Sequence, residues 1–194
     1  MPNWCSTDIT IHGEPEEIKT LWYHLQAATS KSFVENGFGD TWLGNIVEYL
    51  GKSFRDVNCR GSICDMEMSG DSTICISQED AWSPKLMPIK MLMDKYAPDA
   101  SLFFVAEEPG CDLYDTNDPD FIGMWQVSIW SHYDELPKEL YDEDLMKPTR
   151  LKAILSKFLQ KNGTLSELTA MMSERYDGDI DFHEFEECEI ENYL

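Results

Sequence analysis

The stretch SICDMEMSGDSTICISQEDAWSPKLMPIKMLMDKYAPDASLFFVAEE, residues 62–108, decides the fold of this chain. Polar and apolar residues alternate over 62–68 and again over 73–78, and the Gly-Asp pair between these segments predicts a β-hairpin. Apolar residues then recur at helical spacing over 86–96, which predicts a helix opened by the Ser-Pro pair just before it. The apolar run 101–106 predicts a further strand, so the order here is strand, strand, helix, strand.

The segments on either side extend this order. Residues 4–12 alternate as a half-buried strand does, and an amphipathic helix is predicted over 15–28 after acidic residues and a proline. Residues 30–61 are rich in glycine and are predicted to be an inserted segment with a short helix over 42–50. One more alternating strand is predicted over 124–130. The order therefore predicts an α+β fold of the ferredoxin-like, split βαβ kind, with an antiparallel sheet.

The pattern changes to helices toward the end of the chain. Apolar residues form an amphipathic stripe over 151–158, and Thr164 with Glu167 has the spacing of a capping box that opens another helix. We therefore predict two parts. Residues 1–130 form the ferredoxin-like α+β domain, and residues 131–194 form an acidic, mainly helical extension packed on it.

The charge balance restricts the possible partners. The chain has 37 acidic residues against 15 Lys and Arg, which gives a net charge of -22, and no basic stripe is present. Direct binding to DNA or RNA is disfavoured, because affinity for nucleic acid depends on Lys and Arg that displace counterions. Such acidity favours solubility and rapid encounter with basic proteins.

The cysteines and the apolar segments indicate a reducing compartment. The six cysteines form no C-x-x-C pair, and no signal peptide or membrane-spanning stretch is recognisable. We therefore expect reduced thiols, a cytoplasmic location and no membrane association. No motif for a cofactor or a catalytic nucleophile is present, so no cofactor, metal site or catalytic residue is assigned.

The candidate binding residues lie mainly in the acidic segment 107–120, which follows a predicted strand and contains no base. They are Glu107, Glu108, Asp112, Asp115, Asp118 and Asp120, together with Trp82 in the preceding helix entry. Clustered carboxylates are the ligands that hard divalent cations prefer, and they also attract basic proteins. The alternative is a solvated acidic loop, since the spacing matches no defined cation cage.

Two other segments allow a chemical interpretation. Residues 173–184 partly match a calcium loop, but the third position is Arg175, which repels a cation. The alternative for this segment is an acidic turn or strand with Ile180 and Phe182 pointing inward. Pro2 would be the N-terminal residue after removal of the initiator methionine and could then act as a base, or it could simply tie the terminus to the sheet.

Three sequence blocks resemble a known family. They are Met-Pro-Asn-Trp-Cys-Ser at 1–6, Asp-Ala-Trp-Ser-Pro at 80–84, and Lys-Tyr-Ala-Pro at 95–98 leading to Glu-Glu-Pro-Gly at 107–110. Residues 1–130 are similar to the uncharacterised YubB-type family of phages, plasmids and bacterial genomes. The resemblance implies a ferredoxin-like domain and a mobile-element origin, and it supplies no activity or catalytic residue. Thr7 stands where that family usually has Asn.

These features lead to two hypotheses. The first is a non-enzymatic accessory protein of mobile-element origin whose acidic surface binds a protein partner. A sharper form is nucleic-acid mimicry, in which carboxylates occupy the groove of a basic nucleic-acid-binding protein. The alternative is a metal-dependent enzyme or cation-binding protein that uses the acidic segment 107–120.

Overall fold

The computed structural model describes residues 3–35, 37–143 and 145–194. Met1, Pro2, Asn36 and Asp144 lie outside the described residues, and so does the suggested role of Pro2 as a base. The chain forms two compact units. The first consists of Met1–Asp118 with Cys188–Leu194, and the second consists of Pro119–Glu187.

The first unit combines an antiparallel sheet with helices. Its strands are β1 (Trp4–His12), β2 (Gly61–Met68), β3 (Thr73–Ala81), β4 (Ser101–Glu108) and β5 (Leu113–Thr116). Its helices are α1 (Pro15–Ala28), α2 (Leu43–Tyr49) and α3 (Met87–Tyr96). The strands lie side by side in the order β2-β3-β1-β4-β5, and each neighbouring pair is antiparallel. The predicted α+β class is confirmed.

Alternation along β1 explains why this strand lies inside the sheet. Cys5, Ile9 and Ile11 are buried on one face, as predicted, and they belong to the same apolar cluster as Leu21 of α1 and Leu92 of α3. Each large apolar side chain that leaves water contributes about 1.5 to 3 kcal/mol. The helices therefore cover one face of the sheet, and the side chains of opposite parity point away from them.

Two local predictions in this unit are wrong. The period-two pattern of β2 predicts that Cys64, Met66 and Met68 share one face, but a bulge between Ile63 and Asp65 changes the register, so Ile63 is buried and Cys64 is exposed. The helix predicted to begin at the Ser-Pro pair begins instead at Met87, three residues after the proline.

The end of the chain completes the first unit. The Cys188 amide donates to the Thr116 carbonyl at 2.8 Å, so the chain returns to the end of β5. The Tyr193 hydroxyl donates to the Asp115 carboxylate, and its ring makes an edge contact with Phe104 of β4. The sequence does not predict this return.

The second unit has three helices and its own sheet. Its elements are β6 (Trp125–Ile129), α4 (Glu139–Asp142), β7 (Leu145–Met146), α5 (Pro148–Leu159), α6 (Leu165–Arg175), β8 (Ile180–Glu184) and β9 (Glu186–Glu187). The strands β7, β6 and β8 pair in that order, and a separate apolar cluster lies within this unit. The strand predicted over 124–130 is present, but it pairs with β8 and not with the first sheet.

This division differs from the predicted boundary after residue 130. The units separate between Asp118 and Pro119 and again between Glu187 and Cys188. The sequence predicts a mainly helical region 131–194, and the structure gives it strands as well as helices. The capping box of α6 is confirmed, since Thr164 and Glu167 each accept a hydrogen bond from the other's backbone N–H.

None of the helices in the described part of the chain combines the length and the apolar character that a bilayer crossing requires.

Candidate binding surface

The sheet face opposite the helices carries acidic side chains. Five carboxylates occupy this face, and we call them together the acidic face: Asp8, Asp65, Glu67, Glu79 and Glu107. Four of them are exposed and Glu107 is half-buried. The strands β1 to β5 contain no lysine or arginine. These five strands therefore place negative charge on this face without a lysine or arginine among their own residues.

The strand register separates these carboxylates. In one row across the sheet, Ser77 of β3 lies between Asp8 of β1 and Asp65 of β2. The Ser77 hydroxyl donates to the Asp8 Oδ1 at 2.5 Å. The two carboxylates are thus two strands apart, a spacing of about 10 Å. Like charges directly opposite each other would destabilise the sheet, and this row avoids that arrangement.

The next row repeats the arrangement one step along the strands. Ser6 of β1 lies between Glu107 of β4 and Glu79 of β3. Carboxylates and hydroxyl side chains therefore alternate across the sheet in both rows. Diagonal carboxylates are about 8 Å apart, since strands are about 4.8 Å apart and alternate residues about 6.6 Å apart. The result is a regular lattice of negative charge.

An aromatic groove adjoins the acidic face. We define the tryptophan groove by Trp4, Phe38, Trp42, Arg60 and Glu79, which line a cavity of about 610 Å³. That volume is in the range of small-molecule and peptide-anchoring pockets. Trp4 is 52 % exposed and Phe38 is 65 % exposed, so a partner can reach both rings. Trp4 and Glu79 also lie on the open side of the sheet, which makes the groove continuous with the acidic face.

Trp42 gives the groove a fixed wall. The short bridge between Trp42 and Ser62 fastens this segment to the edge strand β2. The Trp42 ring packs edge-on against Phe54 at 5.2 Å and lies so close to Gly44 that a Cβ there would be 2.2 Å from the ring. Trp42 is thus in contact with neighbouring residues on several sides.

Trp82 occupies an unusual backbone conformation beside the groove. Its φ is 66°, a left-handed value that is rare for a bulky residue and costs of order 1 kcal/mol or more. The Trp82 amide donates to the Asn3 carbonyl at 3.0 Å, and the Arg60 guanidinium lies 4.8 Å from the centre of the indole ring. Trp82 remains 47 % exposed. Trp82 thus combines a strained backbone conformation with an exposed ring that contacts Arg60.

Asp80 anchors the loop that carries Trp82. Its Oδ2 accepts hydrogen bonds from the Thr7 hydroxyl at 3.0 Å, the Gln78 side-chain amide at 2.7 Å and the Lys85 backbone N–H at 3.0 Å. Asp80 is fully buried, and this burial raises the pKa of its carboxyl to about 6, although the hydrogen bonds oppose the rise. Thr7 therefore has a polar role here.

The approach of β2 to this carboxyl requires glycine. Gly61 lies directly opposite Asp80, and a Cβ at position 61 would be 2.0 Å from the Asp80 Oδ1. Lys85 is buried beside them, and its ammonium group donates to the Ser83 carbonyl at 2.6 Å and to the Ser83 hydroxyl at 2.8 Å. The Ser83 side chain therefore binds Lys85 and does not cap α3.

The Cys5 thiol is buried, and its sulfur lies 3.7 Å from the Thr7 hydroxyl of this cluster. Burial raises the pKa of Cys5 to about 12, so the thiolate that a nucleophile requires is scarce at neutral pH. All six cysteines are free. Among the residues that the structure describes, no three His, Cys, Asp or Glu side chains converge as a metal site would require.

The acidic segment 107–120 is a hairpin and not an open loop. Glu107 belongs to the acidic face, whereas Glu108 is buried on the opposite side, where its Oε1 accepts from the Gly110 amide at 3.1 Å. The remaining predicted residues lie in different places. Asp112 is an exposed residue with a left-handed φ of 53°, Asp115 binds Tyr193, Asp118 ends the first segment of the first unit, and Asp120 belongs to the second unit.

The sequence pointed to Trp82, which lies beside the groove, but not to the residues of the groove itself or to most of the acidic face. A period-two signal marks Asp8 as facing away from Ile9, and the same signal is available for Glu79. It fails for Asp65, because the bulge in β2 changes its parity. No local sequence pattern predicts that Trp4, Phe38 and Arg60 line the same cavity.

No protein-family model, curated protein or solved structure matches this chain.

Proposed function

We propose that this protein is a non-enzymatic binding protein that engages a basic protein partner through its acidic face. The observation that carries the proposal is the lattice of five carboxylates on strands that contain no lysine or arginine. A net charge of -22 adds a long-range field of the same sign. Such a field accelerates the encounter with a positively charged surface and suppresses contact with nucleic acid.

The scaffold of the proposal is a ferredoxin-like, split βαβ domain. The helix α2 lies in the inserted segment and is not part of this plan. The remaining elements up to β4 follow the order strand, helix, strand, strand, helix, strand. The antiparallel order β2-β3-β1-β4 supports this plan, with β5 as an added strand beyond β4. In this plan one sheet face carries the helices, and the other is open for binding. The mobile-element origin implied by the resemblance belongs to the same proposal.

Nucleic-acid mimicry is the specific form of binding that the lattice favours. Carboxylates about 7 to 10 Å apart on a sheet present repeated negative charge at fixed positions, as a phosphate backbone does. A DNA-binding protein with a basic groove is the partner class that such a surface fits. The partner should release DNA when it binds this protein, because both ligands use the same Lys and Arg side chains.

A matched pair of charge variants tests the proposal. The face variant carries Asp8→Asn, Asp65→Asn and Glu67→Gln. The control variant carries Glu14→Gln, Asp71→Asn and Asp99→Asn, which are exposed acids of the same unit. Both lose three negative charges. The probe is a fluorescein-labelled hexalysine peptide, and its dissociation constant is measured by fluorescence anisotropy at about 20 and 150 mM NaCl.

The face variant should bind hexalysine about tenfold more weakly than the wild type at low salt, since each nearby charge contributes about 0.5 kcal/mol in water. The control should change about twofold or less. Equal losses in both variants would show that only overall charge matters, and no binding at about 20 mM NaCl would contradict the proposal altogether. Proteins captured from a bacterial lysate are then tested for release of labelled DNA.

A further inference from the structure

The tryptophan groove and the acidic face share residues. Trp4 and Glu79 are diagonal cross-strand neighbours on the same open face, on the paired strands β1 and β3, and both line the cavity. A basic chain segment lying along the acidic face would therefore reach the groove without a turn. The groove adds large aromatic surfaces, which are the residue types that dominate binding energy at protein interfaces.

The charges in the groove favour a cation as the occupant. Indole faces attract cations, and Glu79 places a carboxylate at the same cavity. Arg60 is the one Lys or Arg among the described lining residues, and its guanidinium is stacked on Trp82. No ion pair joins Arg60 to Glu79 among the described side chains. Glu79 can therefore pair with a cation that the partner brings.

Guanidinium fits this combination better than ammonium does. It is planar, so it stacks on an indole face, and it can donate two parallel hydrogen bonds to one carboxylate. Ammonium is a compact and strongly hydrated charge that loses more on leaving water. The Trp4 indole beside the Glu79 carboxylate therefore discriminates between the two cations.

We propose that the tryptophan groove receives an arginine side chain of the basic partner, with the guanidinium stacked on Trp4 and paired with Glu79. This inference rests on the proposed function, because the acidic face brings the basic segment to the groove. It adds selectivity for arginine over lysine, which the acidic face by itself does not provide.

The test compares hexa-arginine with hexalysine, both fluorescein-labelled, at about 150 mM NaCl. The wild type should bind hexa-arginine about fivefold more tightly, as expected for one stacked guanidinium. Trp4→Ala should bind both peptides with nearly equal affinity, whereas Trp4→Phe should keep part of the preference. Trp130→Ala is the matched control, since Trp130 is an exposed tryptophan of the second unit. Phe38→Ala is a second groove variant at a highly exposed site, and it should reduce the preference.

The outcomes separate this inference from the proposed function. Equal binding of both peptides by the wild type would overturn the arginine site and leave the acidic face intact. Preference for hexa-arginine that persists in both Trp4→Ala and Phe38→Ala would place the selectivity elsewhere and also overturn the site. Failure of both peptides to bind at about 20 mM NaCl would remove the proposed function itself. Circular dichroism of each variant confirms folding before the peptides are compared.

Discussion

Replacing Asp80 by asparagine should make the protein more stable relative to the wild type at neutral pH than it does in mild acid. Asp80 is completely buried, and that burial raises the pKa of its carboxyl from 3.8 to about 6. The folded protein therefore holds the Asp80 proton more tightly than the unfolded chain does. Stability from the neutral carboxyl is fully present below about pH 4 and is lost as the pH rises through about 6.

The size of this effect follows from the two pKa values. A difference of about two pKa units corresponds to about 3 kcal/mol over the whole titration. Between pH 5 and pH 8 the Asp80 contribution to the free energy of unfolding falls by about 1.4 kcal/mol. The asparagine side chain of Asp80→Asn would not ionise between pH 5 and pH 8. The variant should therefore lack this fall.

The assay is urea unfolding of wild type and Asp80→Asn at pH 5, 6, 7 and 8. The free energy of unfolding of Asp80→Asn minus that of the wild type should increase by about 1.4 kcal/mol from pH 5 to pH 8. Asp65→Asn, at an exposed acid of β2, is the control variant. Carboxyl ¹³C NMR checks the cause, since a resonance with a midpoint near 6 should be absent from Asp80→Asn. A pH-independent difference would refute the reasoning.

Two further substitutions test contacts that only the folded chain creates. Gly61→Ala should cost about 1 to 3 kcal/mol of unfolding free energy, because its Cβ would be 2.0 Å from the Asp80 Oδ1; an unchanged urea midpoint would contradict that close approach. Tyr193→Phe should cost about 0.5 to 1.5 kcal/mol in thermal unfolding, because the ring contact with Phe104 is kept while the hydrogen bond to Asp115 is lost. An unaltered melting temperature would show that this hydrogen bond does not contribute.

Elements with strong local signals were predictable from the sequence. The alternation in β1 identified its buried residues, because strand side chains point to opposite faces in turn. The capping box at Thr164 was predictable for a similar reason, since its partner Glu167 is only three residues away. The apolar spacing over 86–96 identified the end of α3, which closes at Tyr96.

The errors arose where contacts beyond the local pattern decide the structure. Ser83 has the residue type of a helix cap, but its hydroxyl binds the ammonium group of Lys85 and α3 begins later. The alternation over 124–130 correctly predicts a strand. The pattern does not show which other strand this one pairs with. Backbone hydrogen bonds with β8 place that strand in the second unit.

The sequence by itself determined the α+β class, the order of β1 to β4 with α1, α2 and α3, and the negative charge of the whole protein, because these depend on composition and short-range periodicity. Only the tertiary structure decided the lattice of the acidic face and the assembly of the tryptophan groove. Strand register places Asp8 opposite Ser77 across 69 positions of sequence. Such pairings depend on how the whole sheet buries its apolar face, and no local pattern records that choice.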